Sequence, residues 1–300
     1  MIHTKIDFKL LTPCFCAGAD QSEAEIRPSA IRGALRWWFR ALGGSADDEE
    51  LVFGGVRNAK ASSLQIRVAD IRKVDVGSLP SPKPMTPLAY ILYFPSVAGA
   101  DSGAKFGTGP RWNSKGCLGP GSTFQLQLRQ LRKLPDHCVR LLELSINALR
   151  HYGSIGMRVT RGFGAMQASG VNEASFTSLD TELQEHGFLV RRGSRAHDKW
   201  DSLMDEAGKW LKHDLRKEFG AGGGRGKGGK NPQATALGSI DPVRQTSAVY
   251  LRPVELKGKL VFSAFEAPHG RVLGNKSREK HAQQILKTRD FNQNPPAASA

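Results

Sequence analysis

Arginines are the residues of this sequence whose spacing points most directly to chemistry. In residues 27–44, Arg32, Arg36 and Arg40 recur at intervals of four, so they form one stripe on an α-helix. No acidic residue within this segment is placed to neutralise them, and like charges at that spacing repel by about 0.2–0.5 kcal/mol per pair. The stripe therefore predicts an anionic partner outside the helix. Two alternatives stay open: the arginines lie over apolar surface, or they pair with carboxylates from elsewhere in the fold.

A second candidate anion site is the glycine-rich segment of residues 153–170. Its glycines let backbone approach a ligand closely, and Arg158, Arg161 and Phe163 lie among them. A tight turn before the following strand explains the glycines equally well, so both interpretations stay open.

Two further basic loops are candidates for contact with a phosphate backbone. Residues 95–121 combine glycine with basic side chains and contain Arg111 beside Trp112. Residues 220–233 are mostly glycine with basic side chains, and they predict either a loop that grips a backbone or a linker. They are not a nucleotide-binding P-loop, because glycine follows the lysine where Ser or Thr is required. The candidate contact residues in this second loop are Arg225, Lys227 and Lys230.

Motifs for metal, nucleotide or nucleophilic chemistry are absent from the sequence. It contains no HExxH, no GxSxG and no dinucleotide fingerprint. The four cysteines form one C-x-C pair and two distant single residues, which is not a zinc pattern. We interpret them as reduced, buried thiols of a cytosolic protein, and we predict no metal and no cofactor. The eight histidines are scattered, and none has a spacing that favours an acid–base role.

Composition indicates the class of partner. The chain has 300 residues, a formal charge of +15 and an isoelectric point near 9.9, with 39% hydrophobic residues. This is enough apolar material for real cores, and the basic excess makes nucleic acid the first partner to consider. No apolar run approaches the roughly 20 residues that span a bilayer. The first residues mix charge with apolar side chains, unlike a secretory signal.

The element that carries the arginine stripe is predicted as a helix with one core face. Pro28 and Ser29 are typical of a helix start, with Ser29 as the expected cap, and two glycines at 43–44 are typical of its end. The apolar residues Ile31, Leu35, Trp38 and Leu42 share the face toward the core. A strand at residues 2–11 precedes it, so strand, loop and helix open a βαββαβ unit.

The rest of the chain continues the alternation of strands and helices. Residues 47–50, DDEE, predict a solvated acidic turn. Further strands are predicted at residues 64–71, 88–94, 125–134, 188–191, 248–254 and 259–265, and helices at 136–152, 199–219 and 276–287.

Three stretches of this sequence resemble the first RAMP subunit of type III-B (Cmr) CRISPR effector complexes. The longest is LTPCFCAGADQSEAEIRPSAIRGALRWWFRALGG; RGFGAMQ and TSAVYLRPVELKGKLVFSAF are the others. The resemblance implies an α+β fold of two ferredoxin-like (RRM-type, βαββαβ) domains of the RAMP superfamily, with long glycine-rich loops. The expected domains are residues 1–170 and 171–291, followed by a disordered tail at 292–300.

The same resemblance implies a function. Family members use the pattern S-x-x-[KR]-G-x-x-R to hold the guide backbone, and here this pattern falls on Ser29, Arg32, Gly33 and Arg36. The partners implied are crRNA, in its 3′ region, target RNA and other RAMP subunits, with no membrane. The family resembles a non-cleaving cap of the complex. The alternative is a metal-dependent ribonuclease, because related subunits cleave RNA with an aspartate in the loop where Asp20 stands.

Overall fold

The chain folds as layers of helices on two antiparallel sheets. In the computed structural model, the residues described are 1–20, 22–77, 86–92, 116–215, 237–238, 246–273 and 285–286. The predicted helix at 276–287 and the tail at 292–300 lie outside these residues, except that 285–286 form a turn. Within the described part of the chain, no helix combines the length and apolarity needed to cross a membrane.

The first sheet has five strands in the described part of the chain. These are β1 (His3–Leu10), β3 (Leu64–Arg72), β5 (Thr123–Gln130), β6 (Gly153–Ser154) and β7 (Ala165–Ala168), in the order β3-β5-β1-β7-β6. All of their pairings are antiparallel. Helix α1 (Pro28–Ala41) follows β1, and α4 (Asp136–Tyr152) follows β5. The succession β1-α1-β3-β5-α4-β7 follows the predicted βαββαβ order. Two short strands, β2 (Cys14–Phe15) and β4 (Cys117–Leu118), pair beside this sheet.

The second sheet has three strands among the described residues. Strands β8 (Leu189–His197), β9 (Val249–Leu256) and β10 (Lys259–Glu266) lie in the order β8-β10-β9, and the predicted pairing of the last two is confirmed. Helix α5 (Glu173–Glu185) precedes β8 and was not predicted. Helix α6 (Trp200–Lys209) follows β8, continues as a π-helical turn at Trp210–Leu215, and a short α7 (His269–Val272) follows β10.

Among the described residues, one apolar cluster contains side chains of both sheets, and a second lies between the second sheet and α6. The predicted inner face of α1 is confirmed, since Ile31, Leu35, Trp38 and Leu42 are all buried. The ring of Trp38 lies 5.0 Å from Phe265 of β10, centroid to centroid, and 5.6 Å from Phe188. The side chains that bury α1 therefore come from residues before and after position 170, the expected domain boundary.

The predicted strand at residues 88–94 is wrong. Residues 88–94 were expected to form a strand, but Pro87–Leu92 is a helix, α3. A short apolar run has no periodicity that separates a strand from a buried helix, and here the helix packs on α6. Its fit is close, because a Cβ on Gly208 of α6 would lie 2.4 Å from the carbonyl oxygen of Pro87.

The acidic segment and the helix cap also differ from expectation. DDEE lies in helix α2 (Ala46–Phe53). Ser45 and Asp48 form a reciprocal capping box at the start of this helix. Glu49 and Glu50 are buried rather than solvated. Helix α1 has Arg27 at its N-cap and no side-chain cap. Ser29 lies inside the helix with its side chain exposed, because Pro28 already occupies the first helical position.

Candidate nucleic-acid interface

The arginine stripe of α1 faces partners within the protein. Arg36 pairs with Glu49 through Nε and NH2, and Arg40 Nε lies 3.5 Å from the other oxygen of the same carboxylate. The Glu49 side chain is only 7% exposed, whereas Arg36 and Arg40 are 39% and 51% exposed. The anion that the stripe requires is thus a buried glutamate of α2, which is one of the two alternatives left open by the sequence.

Arg32, the first member of the stripe, binds backbone rather than a carboxylate. Its NH1 donates to the carbonyl of Phe53 at 3.2 Å and to Ser62 Oγ at 2.8 Å, and its NH2 donates to the carbonyl of Leu64 at 3.4 Å. Burial, and the nearby charge of Arg36, lower the pKa of Arg32. The guanidinium of Arg32 is therefore committed to tying α1 to the end of α2 and the start of β3.

The arginines of the glycine-rich segment also point into the protein. Arg158 donates through Nε and NH2 to the carbonyl of Ile91 in α3, at 3.2 and 2.8 Å. Arg161 is buried and donates to the carbonyl of Leu237 at 2.9 Å. Phe163 is fully buried and packs 5.5 Å from Phe15, so it offers no surface for a base. This aromatic therefore belongs to the core, and its contact with RNA stays a prediction.

A groove of about 430 Å³ opens beside α1, on a face that the stripe does not occupy. One wall is the α1 face of Arg27, Ala30, Gly33, Ala34 and Trp37. Residues 154–157 form part of the other wall, and β9 contributes Tyr250 and Arg252. Of the four residues that the family pattern selects, Gly33 alone lines this groove.

Glycines let the glycine-rich segment form this wall. Gly156 has φ +86°, and a Cβ there would lie 2.6 Å from the carbonyl oxygen of Phe15. Gly164 has φ +62°, and a Cβ there would lie 1.9 Å from the carbonyl oxygen of Ile155. Close backbone approach is thus real, and at these two glycines it is made to the protein's own backbone.

Arg252 is the cationic residue of the groove that the sequence did not single out. It is 3% exposed, and its Nε and NH1 donate to the carbonyls of Tyr152, Val159 and Leu251. Its guanidinium carbon lies 5.1 Å from the ring centroid of Tyr250. Burial lowers the pKa of Arg252 to about 10, so it stays charged at neutral pH.

No carboxylate pairs with Arg252 among the residues whose positions are described, and its NH2 has no hydrogen-bond partner there. A buried charge without a counter-ion is costly, which makes an anionic ligand in the groove favourable. The signal in the sequence was an arginine inside the apolar strand that contains Val249, Leu251 and Val254.

Asp20 has the geometry of a turn residue. Its Oδ1 accepts a hydrogen bond from the backbone N–H of Ser22 at 2.8 Å, and its backbone carbonyl accepts from Glu23 N. The hydrogen bonds from Ser22 lower the pKa of Asp20, which is fully exposed.

The remaining candidates of the basic loops cannot be placed. Arg111, Trp112, Arg225, Lys227 and Lys230 lie outside the described residues, so their contact with RNA stays a prediction. The four cysteines are free and buried, as expected.

Comparison with known proteins identifies one family and several relatives. The family model of the RAMP superfamily matches residues 7–167. Two relatives are subunits of the CRISPR Cmr system of Pyrococcus furiosus. Cmr1-2 is 32% identical over 85 residues, covering 25% of this chain and 46% of the relative. Cmr1-1 is 33% identical over 159 residues, covering 48% of this chain and 40% of the relative. The matched part thus spans less than half the length of either relative.

Solved structures share the fold. The apo crystal structure of Cmr1 from Pyrococcus furiosus superposes with a TM-score of 0.53 at 17% identity, covering 89% of this chain and 88% of that one. A chain of the type III-B Cmr-β complex bound to cognate target RNA gives a TM-score of 0.57 at 11% identity, covering 88% and 94%. At these identities the likeness concerns the fold. Together with the relatives, it confirms the resemblance that the sequence indicates.

Proposed function

This chain belongs to the RAMP superfamily, and from that premise we propose that it is a non-catalytic, RNA-binding subunit of a type III-B (Cmr) CRISPR effector complex. In that complex it contacts the 3′ region of the crRNA and the target RNA, caps one end of the assembly beside other RAMP subunits, and serves antiviral defence. Its two halves are two ferredoxin-like units.

The observation that carries the proposal is the groove beside α1. It presents a buried guanidinium that has no carboxylate partner among the described residues, Arg252, an exposed one, Arg27, and the half-buried ring of Trp37. Guanidinium groups suit phosphates, and aromatic rings suit unstacked bases of single-stranded RNA.

The start of α1 adds to the attraction for anions. Its first turn contains no acidic residue and no side chain caps it, so the positive end of the helix dipole lies beside Arg27, whose Nε is 4.0 Å from Glu25 Oε2. The groove accordingly suits contact with the RNA backbone, with affinity that falls as salt rises.

The proposal predicts how one substitution changes the salt dependence of RNA binding. Arg27→Ala removes an exposed guanidinium from the groove. We expect weaker binding to a single-stranded RNA and a plot of log K against log salt that is shallower by about 0.7. Fluorescence anisotropy at several salt concentrations measures both quantities.

The matched control is Arg195→Ala. Arg195 is 72% exposed in its side chain and does not line the groove, so its removal should leave the slope unchanged. Equal effects of the two variants would mean that RNA binding depends on overall charge. The proposal that RNA binds in the groove would then be wrong.

Absence of catalysis is tested separately. The assembled complex and the isolated chain are incubated with matched target RNA and Mg²⁺, with Asp20→Asn as the variant. We expect no cleavage that depends on Asp20, because its carboxylate is engaged in a turn with Ser22. Products that disappear in Asp20→Asn would replace the proposal by the metal-dependent ribonuclease.

A further inference from the structure

Three potential metal ligands meet where α2 and α4 begin, away from the groove. Asp48 Oδ1 lies 2.9 Å from His137 Nε2 and 3.4 Å from Cys138 Sγ, and those last two atoms are 3.3 Å apart. They are one oxygen, one nitrogen and one sulfur donor from two elements separated by about ninety residues in sequence. The sequence showed no zinc pattern because the paired spacing of ligands is replaced here by tertiary contact.

The triangle of donor atoms has nearly the size that zinc requires. Bonds of about 2.0–2.1 Å to oxygen and nitrogen and about 2.3 Å to sulfur place tetrahedral ligands about 3.3–3.5 Å apart. The three observed separations of 2.9, 3.4 and 3.3 Å need only a small expansion to reach these values. Magnesium and calcium prefer oxygen ligands, so the nitrogen and sulfur donors favour zinc.

The surroundings orient the carboxylate for such a role. Asp48 Oδ2 accepts hydrogen bonds from Ser45 Oγ at 2.6 Å and from Ser45 N at 3.2 Å, which leaves Oδ1 directed at the other two ligands. Outer partners of this kind fix first ligands in metal sites. Cys138 is fully buried, whereas His137 is 54% exposed in its side chain, so the site is open on one side to an entering ion and a fourth ligand, water.

A catalytic triad does not explain the cluster. The ring of His137 meets both Asp48 and Cys138 through the same atom, Nε2. A histidine that relays a proton uses its two nitrogens for its two partners, and the nucleophile must be accessible. Here the thiol is buried.

We propose that Asp48, His137 and Cys138 bind one Zn²⁺ ion that joins the start of α2 to the start of α4. Zinc coordinates the thiolate of Cys138, so the thiol proton passes to solvent when the ion binds. The ion links the two helices, and it fixes the helix whose Glu49 holds Arg36 and Arg40.

The test is metal binding to the purified full chain, with RNA removed. Titration calorimetry with Zn²⁺ alone should show one site per chain, and Co²⁺ should give the charge-transfer absorption of a thiolate–cobalt bond. Cys138→Ser should abolish that absorption and weaken Zn²⁺ binding by at least about 100-fold. Zn²⁺ should also raise the melting temperature of the unmodified protein but not that of Cys138→Ser.

Two further variants control for misfolding of Cys138→Ser and for metal binding at another site. His137→Gln alters an exposed side chain, so the fold persists, yet the cobalt spectrum must change and Zn²⁺ affinity must fall. Cys117→Ser alters a buried thiol outside the cluster and must leave both unchanged. Absence of saturable Zn²⁺ binding, or a thiolate–cobalt absorption that survives in Cys138→Ser, overturns the proposal. Neither result bears on RNA binding by the groove.

Discussion

At the scale of single residues, Arg36 shows how a charge can be assigned to the wrong partner. Its spacing and its place in the family pattern both favour a phosphate contact, but it pairs with Glu49, a carboxylate that is 7% exposed. A buried carboxylate that loses its cation is left poorly solvated. The stripe is therefore structural first, and any contact with RNA is additional to that role.

Arg36→Ala should consequently destabilise the protein. Because Arg40 remains near Glu49 and Arg36 is partly exposed, we expect a loss of about 1–3 kcal/mol in the free energy of unfolding. Chemical denaturation measures it. The control Lys73→Ala removes an exposed pair with Glu23 and should change stability by less than about 0.5 kcal/mol. If Arg36→Ala leaves stability unchanged but clearly weakens RNA binding, the stripe contacts the phosphate backbone and its structural role is refuted.

Gly33 allows the groove to be blocked without damage to the core. A Cβ at this position would meet no heavy atom within 4 Å. Gly33→Ala should therefore raise stability by up to about 1 kcal/mol, since alanine is the better helix former. Gly33→Leu should keep the fold and weaken RNA binding by about tenfold or more, because its side chain occupies the groove.

Circular dichroism and anisotropy check these two variants of Gly33. Glu182→Leu places the same side chain on the exposed surface of α5 and should leave RNA affinity unchanged. A Gly33→Leu protein that folds and binds RNA as before would show that RNA does not enter the groove.

At the scale of elements, the N-termini of α1 and α2 differ in whether a serine caps the helix. Ser45 caps α2, accepting a hydrogen bond from Asp48 N at 3.1 Å, whereas Ser29 lies inside α1 and caps nothing. Ser45→Ala should cost about 1 kcal/mol of stability, and Ser29→Ala should change it by less than about 0.5 kcal/mol. Thermal or chemical unfolding of the two serine variants gives the comparison directly. A larger cost for Ser29→Ala would mean that α1 begins differently from the structure.

Local patterns predicted those elements whose apolar spacing is strong. The helix Asp136–Tyr152 has the predicted bounds, and the inner face of α1 is as expected. Helix α5 went unpredicted, as its sequence is rich in Ser, Thr and Asp, which favour helices weakly. Its capping box, Asn172 with Ser175, was the available signal. The burial of Glu49 could not be inferred, because only tertiary contact with α1 distinguishes it from a solvated acid.

The candidate groove was less predictable than the fold. The helix and the glycine-rich segment that form its walls were both selected from the sequence, but the five arginines singled out in them as candidates do not line it. Arg252 supplies the buried charge from β9, more than two hundred residues from α1 in sequence. Spacing within a segment identifies elements that approach a site, whereas the orientation of each side chain follows from packing.

At the scale of the whole molecule, a cluster of rings joins the second sheet to helix α1, which packs on the first. Phe265 is fully buried, and its centroid lies 5.0 Å from those of Trp38 and Tyr250 and 6.0 Å from Phe188. In the first sheet, Phe124 stacks on Phe8 at 5.3 Å. Since apolar contacts run without a break from one sheet to the other, the two should lose structure together.

Two single variants, Phe265→Ala and Phe124→Ala, test this cooperativity. Each removes a fully buried ring and should cost about 3–5 kcal/mol. Hydrogen exchange of the slowest amides in β1 and β5, and in β9 and β10, reports the unfolding free energy of each sheet. In a single cooperative unit, either substitution lowers protection equally in both sheets. Protection lost only in the sheet that carries the substitution would show two independently stable domains. The stability of α1 would then not depend on its contacts with the second sheet.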